Sequence, residues 1–385
     1  MADSDSDNEE KTSISNPDVV TKYKAAAEIC NKAIAAVIEA CQEGAKIVDV
    51  CSIGDTLINK EVASIFNAKK KGGAKVEKGI AFPTSASINN VVGHYSPAAD
   101  DIAVLKAGDV VKIDLGVHVD GYVAVQAQTL VVGSAPATGK AADVIAAART
   151  AFDAALRLIR PGKHVSDVTG PLSAIVEAFG CTLVEGVMSH EMKQFVIDGN
   201  KCVLNRPAPD AKVEDNEFEE NEVYAIDIVV STGEGKPRVM DEKQTQVYKR
   251  SLDASYNLKL KASRAVFSII QNSFPAMPFT LRALAGEGEK DAKDPLGAAQ
   301  LSMGLKECLN HGLLHAYPVL YEKTGEIVAH IKGTVLLTAN GSDLVTKAPV
   351  QPVESAKKVE DPELLALLAE PIRKQKKKNK VKAAA

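Results

Sequence analysis

The chain alternates long amphipathic helical patterns with short β-rich runs. Apolar residues recur at helical spacing from Asn16-Pro17, a capping residue followed by a first-turn proline, until Gly44 ends the pattern. Similar signals predict two more helices, over 141–159 and 165–179. β-rich runs predict strands near 111–132, 182–187, 223–231, 317–321 and 326–338. Helices separated by antiparallel hairpins favour an α+β fold over a parallel βαβ series.

Asp120-Gly121 is a strong turn signal. An Asp-Gly pair accepts positive φ at both turn positions, so it predicts a two-residue antiparallel hairpin between the flanking β-rich runs. In that register Asp114 and Val125 project from one face as diagonal neighbours. Two carboxylates at this spacing could clamp one metal ion from both strands, but the second position is a valine.

The region from about 236 to 316 interrupts the strand series with helical and charged sequence. Helices are predicted over 262–272 and near 298–309, and the glycine-rich stretch 286–290 is predicted to be a loop. The region is therefore expected to form an insertion in the fold.

The composition is that of a folded chain with a large core. The chain has 385 residues, of which 45% are hydrophobic, and it lacks an apolar run of the about 18 residues that would span a membrane. Its acidic N-terminus does not have the pattern of a secretory signal. The six cysteines form no CxxC pair, which predicts reduced, mostly buried thiols in a cytosolic or nuclear protein.

The net charge of −4 is unevenly distributed. Residues 1–14 are expected to be an acidic disordered tail, and residues 351–385 a C-terminal segment that ends in a basic tail. Basic side chains neutralise phosphates, so their clusters predict contact with structured RNA, although a single cluster is more often a solvated face. The candidate RNA-binding residues are Lys69, Lys70, Lys71, Lys75, Lys78, Lys249, Arg250, Lys259, Lys261, Arg264, Lys374, Lys376, Lys377 and Lys378.

The order of the motifs around Asp114, His190 and Asp227 resembles that of the methionine aminopeptidases, the "pita-bread" enzymes, and most closely their type 2 branch. Only Asp114 and His190 match the family's ligand pattern outright. The resemblance places the family's metal-ligand positions and its substrate-side histidine, in that order, at Asp114, Val125, His190, Asp227, Lys332 and His94.

The charge at these positions argues against a dimetal centre. Asp114 and Asp227 supply two negative charges and Lys332 offsets one, so a single negative charge would face two divalent cations. Such cations need oxygen ligands, whereas an ammonium group offers only donors. The chain is therefore expected to hold no metal or other cofactor and to be no peptidase. As a further hypothesis, the Lys332 ammonium replaces the metal as the cation shared by Asp114 and Asp227.

Longer segments resemble the proliferation-associated, ErbB-receptor-binding protein family, whose fungal members are known as curved-DNA-binding proteins. The resemblance runs from about residue 15 to the basic tail and implies a pita-bread domain over 15–350 with a helical type 2 insertion. The segments that carry it include 78–84, 112–121, 196–199, 277–280 and 357–362.

The same resemblance implies a non-catalytic function. Members of that family bind RNA and associate with the large ribosomal subunit near the exit tunnel, and they move between the cytoplasm and the nucleolus. The expected partners are therefore rRNA and ribosomal proteins at the tunnel exit, with roles in ribosome biogenesis, translation and growth control. The chain is expected to be a monomer that does not insert into membranes.

Two other functions remain open at this point. A DNA-binding or transcription-cofactor role is favoured by the basic clusters, by the name of the fungal relatives and by an LxxLL segment with Leu364, Leu367 and Leu368. Such a segment inserts into hydrophobic grooves of partners when it is helical, but here it could equally pack back on the body. A residual metallo-aminopeptidase would require two metal ions.

Overall fold

The computed structural model describes residues 11–68, 73, 75–133, 136–207, 213–289 and 297–373. The helices are α1 (Pro17–Ala40), α2 (Ile47–Ser64), α3 (Gly139–Leu158), α4 (Ser166–Ala178), α5 (Lys261–Ser273), α6 (Leu281–Glu289), α7 (Ala298–Asn310) and α8 (Pro362–Ala369). The strands are β1 (Lys78–Ile88), β2 (Val91–Gly93), β3 (Val110–Val119), β4 (Tyr122–Val131), β5 (Ala137–Thr138), β6 (Thr182–Leu183), β7 (Met188–Glu191), β8 (Cys202–Leu204), β9 (Val223–Ser231), β10 (Arg238–Val239), β11 (Val247–Arg250), β12 (Phe279–Thr280), β13 (Leu314–Tyr317), β14 (Leu320–Tyr321), β15 (Val328–Thr338), β16 (Gly341–Leu344) and β17 (Val353–Glu354).

A nine-stranded sheet forms the centre of the molecule, in the order β1-β3-β4-β15-β9-β7-β8, with β16 beside β15 and β6 beside β9. Neighbouring strands run antiparallel, so the α+β prediction is confirmed. Helices α1 and α2 pack on the β1–β3–β4 half of the sheet, and α3 packs on β9 and β15. Because side chains alternate along a strand, Val111, Ile113 and Leu115 bury against the first helix pair. Asp114 therefore points to the opposite face of the sheet.

The predicted hairpin joins β3 to β4. Asp120 (φ +57°) and Gly121 (φ +80°) both adopt the left-handed conformation, and Val119 pairs directly with Tyr122. Asp114 lies opposite Ala127, which makes Val125 its diagonal neighbour, as predicted.

The turn leaves no room for a side chain at Gly121. A Cβ atom there would lie 2.6 Å from the Phe195 ring and 2.7 Å from the Phe195 backbone nitrogen. We expect Gly121→Ala to lower the free energy of unfolding by about 3 kcal/mol, because positive φ and overpacking both penalise it. Urea denaturation measures the change. Gly108→Ala is the control: its φ of +86° is similar but a Cβ would meet nothing within 4 Å, so we expect a loss of only about 1 kcal/mol. Equal losses would rule out the contact with Phe195 as the cause.

Three predicted helices are confirmed as α1, α3 and α4, within three residues at each end. Asn16 caps α1, as its position suggested, by accepting a hydrogen bond from Asp18 N. Helix α2 and strand β1 were not predicted. The residue before α2 is Lys46, whose side chain makes no capping hydrogen bond, and the helix is rich in β-branched residues, so burial decides its conformation.

The predicted loop at 286–290 is wrong over 286–289, which belongs to helix α6. Each glycine costs about 1 kcal/mol in a helix, but tertiary contacts offset this. Leu284 is buried in the core of the insertion, and the Arg282 guanidinium donates to Ser96 Oγ (3.0 Å) and to Pro97 O.

The insertion has its own hydrophobic core, which includes Tyr248, Phe279 and Leu314. The predicted helices at 262–272 and 298–309 are confirmed as α5 and α7. They accompany a three-stranded sheet in the order β12-β11-β13, which the sequence did not predict.

The C-terminal segment folds onto the body up to Arg373. Strand β17 pairs in parallel with β5, and α8 contacts α3. Leu364, Leu367 and Leu368 pack against the core beneath α3, whereas Leu365 is 47% exposed. Of the two possibilities for the LxxLL segment, the structure favours packing back on the body.

Two smaller expectations concern exposure. Cys202 is half-buried and the other cysteines are fully buried, all as free thiols, which confirms the expected burial. Over the described ranges, no helix is long and apolar enough to cross a bilayer. The acidic residues 1–10 and the basic residues Lys69–Lys71, Lys374 and Lys376–Lys378 lie outside the described residues.

Candidate functional site

A cavity of about 420 Å³ opens on the face of the large sheet opposite the helix pairs. Most of the positions identified from the sequence converge on it from different strands, while Val125 lies in a neighbouring apolar cluster instead. The Val125 side chain is buried, and its backbone N–H and C=O bond to Thr334 Oγ1 at 2.8 and 3.0 Å. The polar and charged residues that line the cavity include His94, Asp114, His190, Asp227, His330 and Lys332.

Lys332 on β15 forms the centre of this cluster. Its Nζ atom lies 2.9 Å from Asp114 Oδ2 and 2.9 Å from Asp227 Oδ2. The register of the sheet produces this geometry, because Lys332 pairs directly with Asp227 on β9 and with Ala127 on β4, the residue opposite Asp114. The contact predicted from the sequence, one ammonium shared by two carboxylates, is confirmed.

The electrostatics of the cluster favour its charged form. Burial alone would lower the pKa of Lys332, but Asp114 and Asp227 raise it above its ordinary value. Burial alone would raise the pKa of Asp227, but Lys332 and His330 hold it well below its usual range. Each shift results from stabilisation of the charged form by its oppositely charged neighbours, so Lys332 and Asp227 are both charged at neutral pH.

His330 completes the environment of Asp227, and sequence reasoning missed it. Its Nε2 atom lies 2.7 Å from Asp227 Oδ1, so both oxygens of that carboxylate are engaged. A signal was present in the sequence: His330 stands two residues before Lys332 on one strand, and residues at this spacing share a face.

These side chains do not fit the pair of divalent cations that the methionine aminopeptidase resemblance implies. The Lys332 ammonium occupies the space between Asp114 and Asp227, and it offers donors only. Val125 supplies no oxygen ligand. Asp114 Oδ1 is buried without a hydrogen-bond partner in the described part of the chain, but one such oxygen does not make a ligand set.

His94 forms one wall of the cavity in an unusual backbone conformation, with φ +66°. Its Nδ1 atom lies 3.1 Å from Pro318 O, and its ring packs near the rings of Phe82 and Tyr317, at centroid distances of 5.9 and 5.4 Å. Burial lowers the pKa of His94 despite the bond to Pro318, and burial also lowers the pKa of His190. Both imidazoles are therefore neutral at neutral pH. The sequence did not point to the two aromatic neighbours.

Several of the candidate RNA-binding cations are engaged within the fold. Lys249 forms an ion pair with Asp198, Arg250 Nε donates to Pro275 O at 2.8 Å, and Arg264 donates to two backbone carbonyls. Lys78 Nζ donates to Asn67 Oδ1 at 2.6 Å.

The remaining described candidates, Lys75, Lys259 and Lys261, are exposed. RNA binding by the candidate cations stays a prediction. Another basic group was missed, because its members are far apart in sequence. Lys236, Arg238 and Lys323 line a groove of about 730 Å³ beside Tyr321 and the 71%-exposed Met240.

Comparison with known proteins places the chain in a family. Residues 21–254 match Metallopeptidase family M24, and the chain belongs to that family. Within it, the chain is a member of the proliferation-associated and ErbB-3-binding group, as the sequence segments predicted. The ErbB-3 binding protein 1 of Solanum tuberosum is 53% identical over 97% of this chain and 93% of its own length. The curved DNA-binding protein of Schizosaccharomyces pombe is 42% identical over 96% and 94% of the two chains.

Solved structures confirm the pita-bread fold. A thermophilic Arx1, 27% identical, superposes with a TM-score of 0.83 over 93% of this chain and 100% of its own. The methionine aminopeptidase of Thermotoga maritima is 19% identical and has a TM-score of 0.56, over 86% of this chain and 98% of its own. The latter likeness concerns the fold alone.

Proposed function

We propose that this protein is a non-catalytic relative of the methionine aminopeptidases that binds structured RNA and the large ribosomal subunit near the exit tunnel. In this role it acts in ribosome biogenesis, translation and growth control, in the cytoplasm and in the nucleus or nucleolus. The observation that carries the non-catalytic part is the Lys332 ammonium between Asp114 and Asp227.

The chemistry of the residues in the cavity opposes catalysis. Hydrolysis at a dimetal site needs metal ions to activate a water molecule and to stabilise the transition state. Lys332 supplies a single positive charge with no open coordination position, and Val125 supplies no ligand. The neutral His94 by itself could only donate to or accept from a bound group. The names of the similar proteins, ErbB-3 binding protein 1 and curved DNA-binding protein, support a role in binding.

Exposed cations and the family resemblance of the sequence segments support RNA binding. Lys75, Lys259 and Lys261 are exposed, so phosphate groups can reach them, whereas Lys249 and Arg250 are engaged in contacts within the fold. Contacts of this type release counterions, so the affinity should fall steeply with salt.

The test is co-sedimentation of the purified protein with isolated large ribosomal subunits across a salt series. We expect saturable, salt-sensitive binding, and at least tenfold weaker binding when Lys75, Lys259 and Lys261 are changed to Glu together with Lys69–Lys71. The control changes four exposed lysines on or near α1 and α2 to Glu and should bind like the wild type. These control positions are Lys24, Lys46, Lys60 and Lys106. Absence of wild-type binding at physiological salt, or equal weakening in both variants, would reject the proposal.

A DNA-binding role is the second candidate, and the name of the Schizosaccharomyces pombe relative favours it. Competition between bent duplex DNA and rRNA for the labelled protein separates the two roles, because only the DNA role predicts a salt-resistant preference for the duplex. A residual metallo-aminopeptidase is the third, and metal analysis of the purified protein tests it.

A further inference from the structure

A groove of about 810 Å³ separates the insertion from the edge of the large sheet, apart from the cavity around Lys332. One wall is β1, which is the outermost strand of the nine-stranded sheet. The other wall includes β12, which is one of the two edge strands of the insertion's sheet. Phe274 and Met277, from the loop that precedes β12, provide apolar surface between the two walls.

The first residues of β1 present main-chain groups to this groove. Glu77 O accepts a hydrogen bond from Asp120 N, and Gly79 pairs with His118. Because antiparallel strands alternate the direction of their main-chain groups, the N–H and C=O of Lys78 and Ile80 point away from β3. Both residues line the groove, and in the described ranges their main-chain groups have no partner on that side.

The rest of this edge is already closed. Thr84 N donates to Asp55 Oδ1 at 2.8 Å, and Ala86 N donates to Tyr95 O at 2.9 Å. Pro83 has no N–H to offer, and irregularities in the β1–β3 register interrupt the strand on either side of Phe82. Such features normally protect an edge from unlimited sheet extension. Here they leave one short stretch of the β1 edge unpaired within the described residues. This stretch can pair with a single short strand but not with a second sheet.

The side chains around the open stretch are acidic and apolar. Glu77 and Glu287 line the groove, and the Lys78 ammonium is directed to Asn67 and to Ile65 O. With Asp55, the lining has three carboxylates against the one ammonium of Lys78, so the charge that faces an incoming chain is net negative. A partner with basic side chains complements it.

We propose that this groove binds an extended peptide that adds a strand to β1 across Lys78–Ile80. Main-chain hydrogen bonds hold the peptide, its basic side chains face Glu77 and Glu287, and its alternate apolar side chains rest on Phe274 and Met277. This site is independent of the proposed RNA contacts, because it uses the backbone of Lys78 and not its ammonium.

The probe is a fluorescein-labelled heptapeptide of alternating lysine and isoleucine, followed by fluorescence anisotropy. We expect saturable binding that weakens at least tenfold when glutamate replaces the lysines. N-methylation of alternate peptide amides should abolish binding in one register and leave it unchanged in the other, because only one set of amides faces β1. Absence of saturation up to about 1 mM, where binding free energy is only about 4 kcal/mol, would overturn the proposal.

Protein variants locate the site. Glu77→Lys with Glu287→Lys should weaken binding at least tenfold, whereas Glu39→Lys with Glu43→Lys, at exposed positions in and just after α1, should leave it unchanged. Ile80→Pro removes one groove-facing N–H and should also weaken binding at least tenfold.

Hydrogen exchange on the unmodified protein gives a readout that does not depend on variants. Peptide binding should slow exchange at the amides of Lys78 and Ile80. Bound peptide with unchanged exchange at both amides would overturn the proposal. A protein that sediments as a dimer whose β1 amides are already protected would also overturn it, since a second copy would then be the occupant.

Discussion

Replacing Val125 by Asp and Lys332 by Glu should give the protein saturable binding of Mn²⁺ or Co²⁺ that the wild type lacks. In the wild type, Asp114, Asp227 and Lys332 carry −1, −1 and +1, a sum of −1. The two changes contribute −1 and −2, so the sum becomes −4, which balances two divalent cations. The new carboxylates would arise on β4 and β15, next to the strand positions of Asp114 and Asp227. Isothermal titration calorimetry measures the binding.

Two further variants distinguish the effect of removing the ammonium charge from the effect of supplying ligands in the right geometry. Lys332→Glu alone removes the competing ammonium but leaves Val125 in the apolar cluster, so we expect weaker binding than in the double variant. Adding Asp114→Asn to the double variant should abolish binding again. Metal should also raise the melting temperature of the double variant, because it binds only the folded state and neutralises buried carboxylates. A folded double variant that gives no binding heat and no thermal shift would contradict the prediction that Val125 and Lys332 are what prevents metal binding.

The sequence predicted the parts of the fold whose signals are local. Asn16-Pro17 predicted the start of α1, and Asp120-Gly121 predicted the β3–β4 hairpin and its register. Both predictions succeeded because these residues restrict the backbone conformation at their own positions. Helix α2 and the helical state of 286–289 escaped prediction for the opposite reason. Their local preferences oppose a helix, and burial against other parts of the chain overrides them.

The candidate site likewise has features that the sequence predicted and features that it did not. The family resemblance identified Asp114, Asp227 and Lys332, which lie on three separate strands. Their charges then predicted that the lysine ammonium contacts both carboxylates, as it does in the structure. The sequence could not show that Val125 packs in an apolar cluster outside the cavity lining or that Arg250 serves as an internal anchor. A count of basic residues does not distinguish a cation that is bonded within the fold from one that faces solvent. Only the packing of the folded chain shows this difference.

Lys332→Met should destabilise the protein by about 3–5 kcal/mol, because it leaves two buried carboxylates without their shared cation. Asp114 and Asp227 are only 4% and 9% exposed, so an unpaired charge on either carries a large desolvation cost. Urea denaturation of the wild type and the variant at neutral pH measures the loss. Adding Asp114→Asn and Asp227→Asn to Lys332→Met removes the buried negative charges and should recover most of it.

The pH dependence of this loss identifies its cause. In the wild type the pKa of Asp227 lies below its usual 3.8 and that of Lys332 above its usual 10.5. The contribution of Asp227 is therefore present above pH 3.8 and lost as the pH falls through its folded pKa, while that of Lys332 is present below pH 10.5 and lost at higher pH. In Lys332→Met, burial without the ammonium should raise the pKa of Asp227, so the folded variant takes up protons as the pH falls. The stability deficit should then be smaller at pH 5 than at pH 7.5. A deficit that is equal at both pH values would point to lost packing of the lysine stem and not to unpaired charge.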